Sequence, residues 1–176
     1  MSNVELTDVQ TLRNRARQHV EQGAVTEGYH ANRDEILRLL NESLATELVC
    51  VLRYKRHYFM ANGLKANVAA DEFLEHATQE AEHADRLAER IVQLGGEPEF
   101  NPDLLSKMSH AQYVAGNTLK EMVYEDLVAE RIAIDSYREI IQYIGEKDPT
   151  TRRIFEDILA QEEEHADDMA DILKDL

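Results

Sequence analysis

A seven-residue pattern occurs twice in this chain: Gln79-Glu80-Ala81-Glu82-His83-Ala84-Asp85 and Gln161-Glu162-Glu163-Glu164-His165-Ala166-Asp167 differ at one position only. Each copy contains Glu-x-x-His. On a helix, residues three apart share a face, so each copy can aim one carboxylate and one imidazole at a common point. A second echo, at almost the same offset, sets Glu42-Ser-Leu-Ala-Thr-Glu47 and the later Tyr54 against Glu125-Asp-Leu-Val-Ala-Glu130 and the later Tyr137. The chain therefore reads as two related halves, each a helix with one glutamate followed by a helix with Glu-x-x-His.

The remaining sequence signals supply the helices this repeat requires. Asn32-Arg33-Asp34-Glu35 is close to a capping box and opens a first long helix, in which Ile36, Leu39, Leu40, Leu44, Leu48, Val51 and Leu52 recur at spacings of three and four until Asn62-Gly63. A second runs from about Asn67 to Leu94 and stops at Gly95-Gly96. A connector of about twenty residues follows, longer than most in compact domains. Within it, Asn101-Pro102-Asp103 is a cap with proline at the first helical position, which predicts a short helix over Pro102–Met108. The third long helix extends from near Asn117 to Gly145, and Asp148-Pro149 opens a fourth that reaches Leu176. Before them, residues 1–30 read as an N-terminal extension with a short helix from about Asp8 to Gln22, capped by Thr7 and stopped by Gly23. Residues 31–176 form the main unit. No segment reads as a strand, so the fold class is all-α: an antiparallel four-helix bundle with a long crossover between its second and third helices.

Composition narrows the function classes. The 176 residues suffice for a core without disulfides or structural metal. No apolar run approaches a membrane span and no signal peptide is evident, so a cytoplasmic protein without membrane contact is expected. Cys50 is the single cysteine, which excludes an intrachain disulfide and a four-cysteine metal centre and reads as a small buried hydrophobe. A formal charge of −16 repels nucleic acid and attracts cations.

In such a bundle Glu47, Glu80, His83, Glu130, Glu162 and His165 converge. Four buried carboxylates require raised pKa values or cations among them, and two divalent ions balance them with both imidazoles neutral. Oxygen and imidazole donors without thiolate suit iron or manganese. Glu82, Glu163 and Glu164 fall on outward positions. Tyr54 and Tyr137 each lie two turns beyond their helix's glutamate, where a phenol can hydrogen-bond a ligand carboxylate, yield an electron to an oxidant, or simply pack in the core. His19, His30, His57, His76 and His110 have no paired partner in the sequence and read as surface or packing residues.

These motifs resemble the ferritin-like superfamily. The run from Leu40-Asn41 through Glu47, Glu80-x-x-His83, Glu130 and Glu162-x-x-His165 is similar to the di-iron centre of bacterioferritin over about residues 36–173, and ligand sets of this kind are a recognised feature of helical bundles. The resemblance implies a ferroxidase that oxidises Fe(II) with O2 or H2O2 at a pair of iron ions per subunit, or manganese in their place, and stores ferric mineral in a hollow shell, protecting the cell and its DNA from oxidative damage. It also implies catalytic roles for the six ligands and Tyr54. Bacterioferritins bind haem through a methionine that here is Ala81, so no haem is expected. The short helix at Pro102–Met108 resembles that of Dps, the DNA-protection protein of starved cells. A chain ending soon after the fourth helix lacks the fifth helix of 24-subunit ferritins. Together these imply a Dps-like homo-oligomer, a dodecamer, carrying a bacterioferritin-type centre. The cysteine pair found beside the metals in some Dps-like proteins is not carried over, since Cys50 is alone.

Two alternatives use parts of the same pattern. A rubrerythrin-like di-metal peroxidase shares the bundle but adds a cysteine-bound iron that one cysteine cannot hold. A DNA-binding Dps-type protein has for support Arg13, Arg15 and Arg17, offset by Glu5, Asp8, Glu21 and Glu27.

Overall fold

The structure is a computed structural model, and it describes residues 6–63 and 66–176. Four long helices dominate: α2 (Arg33–Met60), α3 (Ala66–Gln93), α5 (Leu119–Ile144) and α6 (Pro149–Asp175), with short helices α1 (Val9–Arg15) and α4 (Pro102–Met108). Among the described residues there is no strand, and no helix is long and apolar enough to cross a membrane.

The helix ends follow local chemistry. The Asn32 side chain accepts from Glu35 N–H at the start of α2, Asn101 from Asp103 N–H before α4, and Asp148 from Thr151 N–H before α6, with Pro102 and Pro149 placed where a missing N–H costs nothing. Thr118 and Glu121 form a reciprocal capping box at α5, which places its start two residues beyond the expected Asn117. Gly145, at φ +54°, ends α5 in a conformation that a Cβ would disfavour.

Cross-contacts set the topology. Glu47 and Tyr54 of α2 meet Tyr137 and Glu130 of α5, while Gln79 and His83 of α3 meet His165 and Gln161 of α6. In both pairs the register runs in opposite directions, so the helices are antiparallel. Two apolar clusters fill the bundle. One contains Ile36, Leu40, Leu44, Leu87, Ile91, Ile144, Phe155 and Ile158; the other contains Cys50, Phe73, Ala77, Met122, Val123 and Met169. Each large side chain so enclosed contributes roughly 1.5–3 kcal/mol.

The long crossover is strapped along α2 in register with it. Asn41 donates to Glu97 O at 3.2 Å and accepts from Glu99 N–H at 2.8 Å. Thr46 Oγ1 accepts from His110 N–H at 2.9 Å. Arg53 reaches Gln112 O, and Arg56 and His57 donate to Ala115 O. Leu105 of α4 packs against Ala45 and Val49 on the same helix. The connector thus travels the length of α2 and delivers α5 to its far end.

Two sequence expectations are corrected. The helix expected over Asp8–Gln22 stops at Arg15, is capped by Asp8 and not by Thr7, and is followed by a single 3-10 turn at Val20–Gln22 entered through His19 at φ +49°. No residue of α1 is buried, so no packing extends it. Val25, Tyr29 and Ala31 do pack against the main core. Glu5, expected to help offset the N-terminal arginines, lies outside the described residues.

The second correction concerns α2. Leu52, expected among its inward residues, is exposed, and Arg53 is enclosed instead. Arg53 Nε donates to Asp126 Oδ1 and His57 Nδ1 to Asp126 Oδ2, both at 2.7 Å and with no solvent exposure. This network joins α2 to α5 and to the crossover. Asp126→Ala strands a buried guanidinium, so the substitution should cost about 3–5 kcal/mol in denaturant unfolding, whereas the paired Arg53→Met/Asp126→Leu change should recover most of it.

Candidate metal centre

Each of the four long helices sends its marked residues to one enclosed place between the two apolar clusters. Glu47, Glu80, His83, Glu130, Glu162 and His165 are each at most 1% exposed. Their donor atoms form two overlapping sets: Glu47, Glu80, His83 and Glu162 in one, Glu80, Glu130, Glu162 and His165 in the other, with the atoms of each set within 4.8 Å of one another. Glu80 and Glu162 are common to both. The six residues singled out from the sequence are therefore brought together, and the structure adds a division that spacing does not reveal: two glutamates shared between the sets and one at each flank.

Both imidazoles turn Nδ1 toward the carboxylates. His83 Nδ1 lies 3.0 Å from Glu162, 3.2 Å from Glu47 and 3.5 Å from Glu80; His165 Nδ1 lies 3.4 Å from Glu162 and 3.5 Å from Glu80. Their opposite nitrogens are held by residues that the sequence reading quoted but gave no role. His83 Nε2–H donates to Gln161 Oε1 at 2.8 Å, and His165 Nε2–H to Gln79 Oε1 at 2.7 Å. Each glutamine precedes the glutamate of the opposite motif, so a cross-bundle exchange fixes both ring orientations and leaves Nδ1 as the donor atom. The signal was the glutamine repeated at the head of both motifs.

The tyrosines make the same kind of exchange. Tyr54 of α2 donates its hydroxyl hydrogen to Glu130 of α5, and Tyr137 of α5 donates to Glu47 of α2. Both phenols are fully enclosed. Glu82, Glu163 and Glu164 are exposed, as expected, and Cys50 is buried, with burial raising its thiol pKa. Of the other histidines, His57 serves the Asp126 network, while His76 stands beside the centre.

Several buried donor atoms here make no hydrogen bond: both oxygens of Glu80 and of Glu162, Glu130 Oε2 and His165 Nδ1. Enclosed carboxylate oxygens left in this state are costly unless cations take them up, so the residues fit a pair of divalent metals. Protons are the other means of balance. Burial, then the charge of Glu80, pushes Glu47 up to about 8; burial with the charges of Glu80 and Glu162 holds Glu130 well above the carboxylate range. Burial opposes ionisation of Glu80 and Glu162 too, but contacts with Glu47 and both histidines bring Glu80 below its ordinary value, and contacts with both histidines and Glu130 do so for Glu162. Burial opposes protonation of the imidazoles, yet the surrounding carboxylates push His83 well up and His165 up to about 9.

Near neutral pH the metal-free cluster is thus balanced by two carboxyl protons and two imidazolium charges, and two divalent ions would replace all four protons. Metal loading at pH 7 should then release about four protons per chain, read by calorimetry in buffers of different ionisation enthalpy. The stability sign follows. His165 stabilises the fold fully below its unfolded value of 6.5 and loses that contribution up to about 9. Ionising Glu47 is disfavoured in the fold from 4.5 up to about 8. Metal-free protein should therefore lose thermal stability as pH rises from about 6.5 to 9, and metal-loaded protein should not.

Comparison with known proteins agrees with this geometry. The family model described as a ferritin-like domain matches residues 37–176. The bacterioferritin of Mycobacterium avium is 33% identical over 138 residues, covering 76% of this chain and 80% of its own length. Among solved structures, the bacterioferritin-related protein of Bacteroides fragilis, described as a dodecameric thioferritin, superposes with a TM-score of 0.79 at 31% identity, covering 82% of this chain and 87% of that one. Dps from Thermosynechococcus elongatus superposes with a TM-score of 0.76 at 22% identity, over 80% of this chain and 90% of its own, a likeness of fold. The chain belongs to the ferritin-like family and is a homologue of the bacterioferritins.

Proposed function

We propose that this chain is the subunit of an iron-storing ferroxidase that takes Fe(II) as substrate at the six-residue centre. The observation that carries this reading is the pair of overlapping donor sets, each with one imidazole and three carboxylates, enclosed in a single bundle. Iron held there supplies one-electron chemistry toward O2 or H2O2, and manganese fits the same donors. Glu80 and Glu162, common to both donor sets, would contribute to holding either ion, and Glu47 and Glu130 would each contribute to one.

The chain's own residues set the conditions for that chemistry. Gln79 and Gln161 hold the imidazole rings, and Tyr137 and Tyr54 hold the flanking carboxylates, so the donors are oriented before any ion arrives. The apolar clusters on either side exclude bulk water, which strengthens each interaction with a bound cation. Tyr54, bonded to Glu130, would deliver a proton or an electron at the edge of the centre.

The reading extends to the assembly. The α4 helix lies against α2 through Leu105 and presents its other face outward, and the related Bacteroides fragilis protein is described as dodecameric. A hollow dodecamer is the assembly these observations favour. The charge of −16 per chain would concentrate Fe(II) at its surfaces.

Four measurements test the proposal. Metal analysis should find about two ions per subunit. Glu47→Ala or Glu130→Ala should abolish rapid Fe(II) oxidation in stopped-flow traces while the helical content holds, since each removes a flanking donor and also relieves carboxylate repulsion. Wild-type rates in either variant would remove the centre from the reaction. Tyr54→Phe should change the oxidation rate only modestly while altering the yield of released peroxide. Native mass should be that of twelve subunits; a stable monomer or a 24-subunit particle would contradict the shell.

A further inference from the structure

One cluster beside the centre has no place in the duplicated pattern. His76 of α3 is 1% exposed and stacks on His165, ring centroids 4.0 Å apart. Its Nε2 faces two carboxylates, Asp168 at 3.5 Å and Glu72 at 3.7 Å, and hydrogen-bonds neither. One donor atom from each of the three residues lies within 4.8 Å of the others.

The protonation pattern explains why Nε2 faces them. The Tyr54 hydroxyl spends its hydrogen on Glu130, so its oxygen can only accept at His76 Nδ1, 3.2 Å away. Nδ1 therefore carries the proton. In a neutral imidazole Nε2 is then an unprotonated lone pair aimed between two carboxylates, an arrangement of three electron-rich donors that suits a cation among them.

Packing does not demand these side chains. In the other half of the repeat, the positions of Glu72, His76 and Asp168 are held by Ile154, Ile158 and Arg86. Ile158 is fully buried in the main apolar cluster, and Arg86 pairs with Asp157 at the surface. An apolar residue thus fills the same bundle position as His76. The Glu72 and Asp168 side chains are 34% and 45% exposed, so the cluster opens to solvent on one side while His76 closes it against the centre on the other.

We propose that Glu72, His76 and Asp168 form a third divalent-cation site, at which Fe(II) pauses between solvent and the di-metal centre. The passage role rests on the ferroxidase reading; the binding site does not. His76 joins the two places directly, through its stack on His165 and through the Tyr54 hydroxyl to Glu130.

Zinc(II) is the probe, because it accepts imidazole and carboxylate donors and is not oxidised. Glu72→Gln/Asp168→Asn removes two partly exposed carboxylates and keeps His76 in place, so the fold is retained. This variant should bind one zinc fewer per subunit than the unaltered protein in calorimetric titration. In zinc-soaked crystals, the anomalous peak beside His76 should vanish while those among Glu80, Glu162 and the paired histidines persist. Glu47→Gln/Glu130→Gln should do the reverse. An outer peak that survives loss of both carboxylates, or no outer peak in the unaltered protein, overturns the proposal. An outer peak present without inner ones would support it and remove the ferroxidase reading instead.

Discussion

Four carboxylates enclosed in an apolar bundle are the constraint on which this architecture turns. Left ionised and alone they would oppose folding by many kcal/mol, yet each is at most 1% exposed. The cluster resolves the conflict by keeping its net charge near zero in two different ways. Protons on Glu47, Glu130 and both imidazoles balance it without metal, and two divalent ions would balance it in their place. The same six side chains could therefore serve a folded metal-free chain and a loaded one.

Around that cluster, polar contacts do the positioning and apolar clusters do the sealing. The Arg53, His57 and Asp126 network holds α2 to α5 one turn away from the Tyr54–Glu130 bond, so the flanking carboxylate sits beside a second fixed contact between the same two helices. It also clasps the end of the crossover through Gln112 and Ala115. A long connection would ordinarily be a source of looseness. Here Asn41, Thr46, Arg53, Arg56 and His57 fasten it to α2 at successive turns, and it becomes part of the wall.

Much of this was legible in the sequence because the duplicated motifs are local. Glu80-x-x-His83 and Glu162-x-x-His165 declare a shared helix face by spacing alone, and the caps at Asn32, Asn101 and Asp148 mark helix starts by residue type. What escaped depends on partners distant in the chain. Apolar periodicity placed Leu52 inside and passed over Arg53, because only Asp126 on another helix makes a buried arginine tolerable. His76 read as an ordinary packing residue since its neighbours Asp168 and Tyr54 lie far from it in sequence. The sharing of Glu80 and Glu162 is likewise a property of the closed bundle, invisible in any one helix. The N-terminal helix failed in the opposite way: its local signals were sufficient to start a helix, but no tertiary contact carried it past Arg15.

The exchanges across the bundle also bear on how such a chain could arise. Tyr54 serves Glu130 and Tyr137 serves Glu47, while Gln79 serves His165 and Gln161 serves His83. Neither half completes its own site. Two copies of a single helix pair, related by a two-fold axis, would make every one of these contacts, so the arrangement has the logic of a symmetric dimer whose subunits were later joined. Joining released a constraint. In a symmetric dimer any new side chain appears twice, and a buried arginine or histidine would need its compensating acid on both sides. Within one chain Arg53 can pair with Asp126 and His76 can face Asp168 while Ser136 and Ile158 occupy the matching positions opposite. The crossover that fuses the halves is thus what permits the molecule to have two unlike sides.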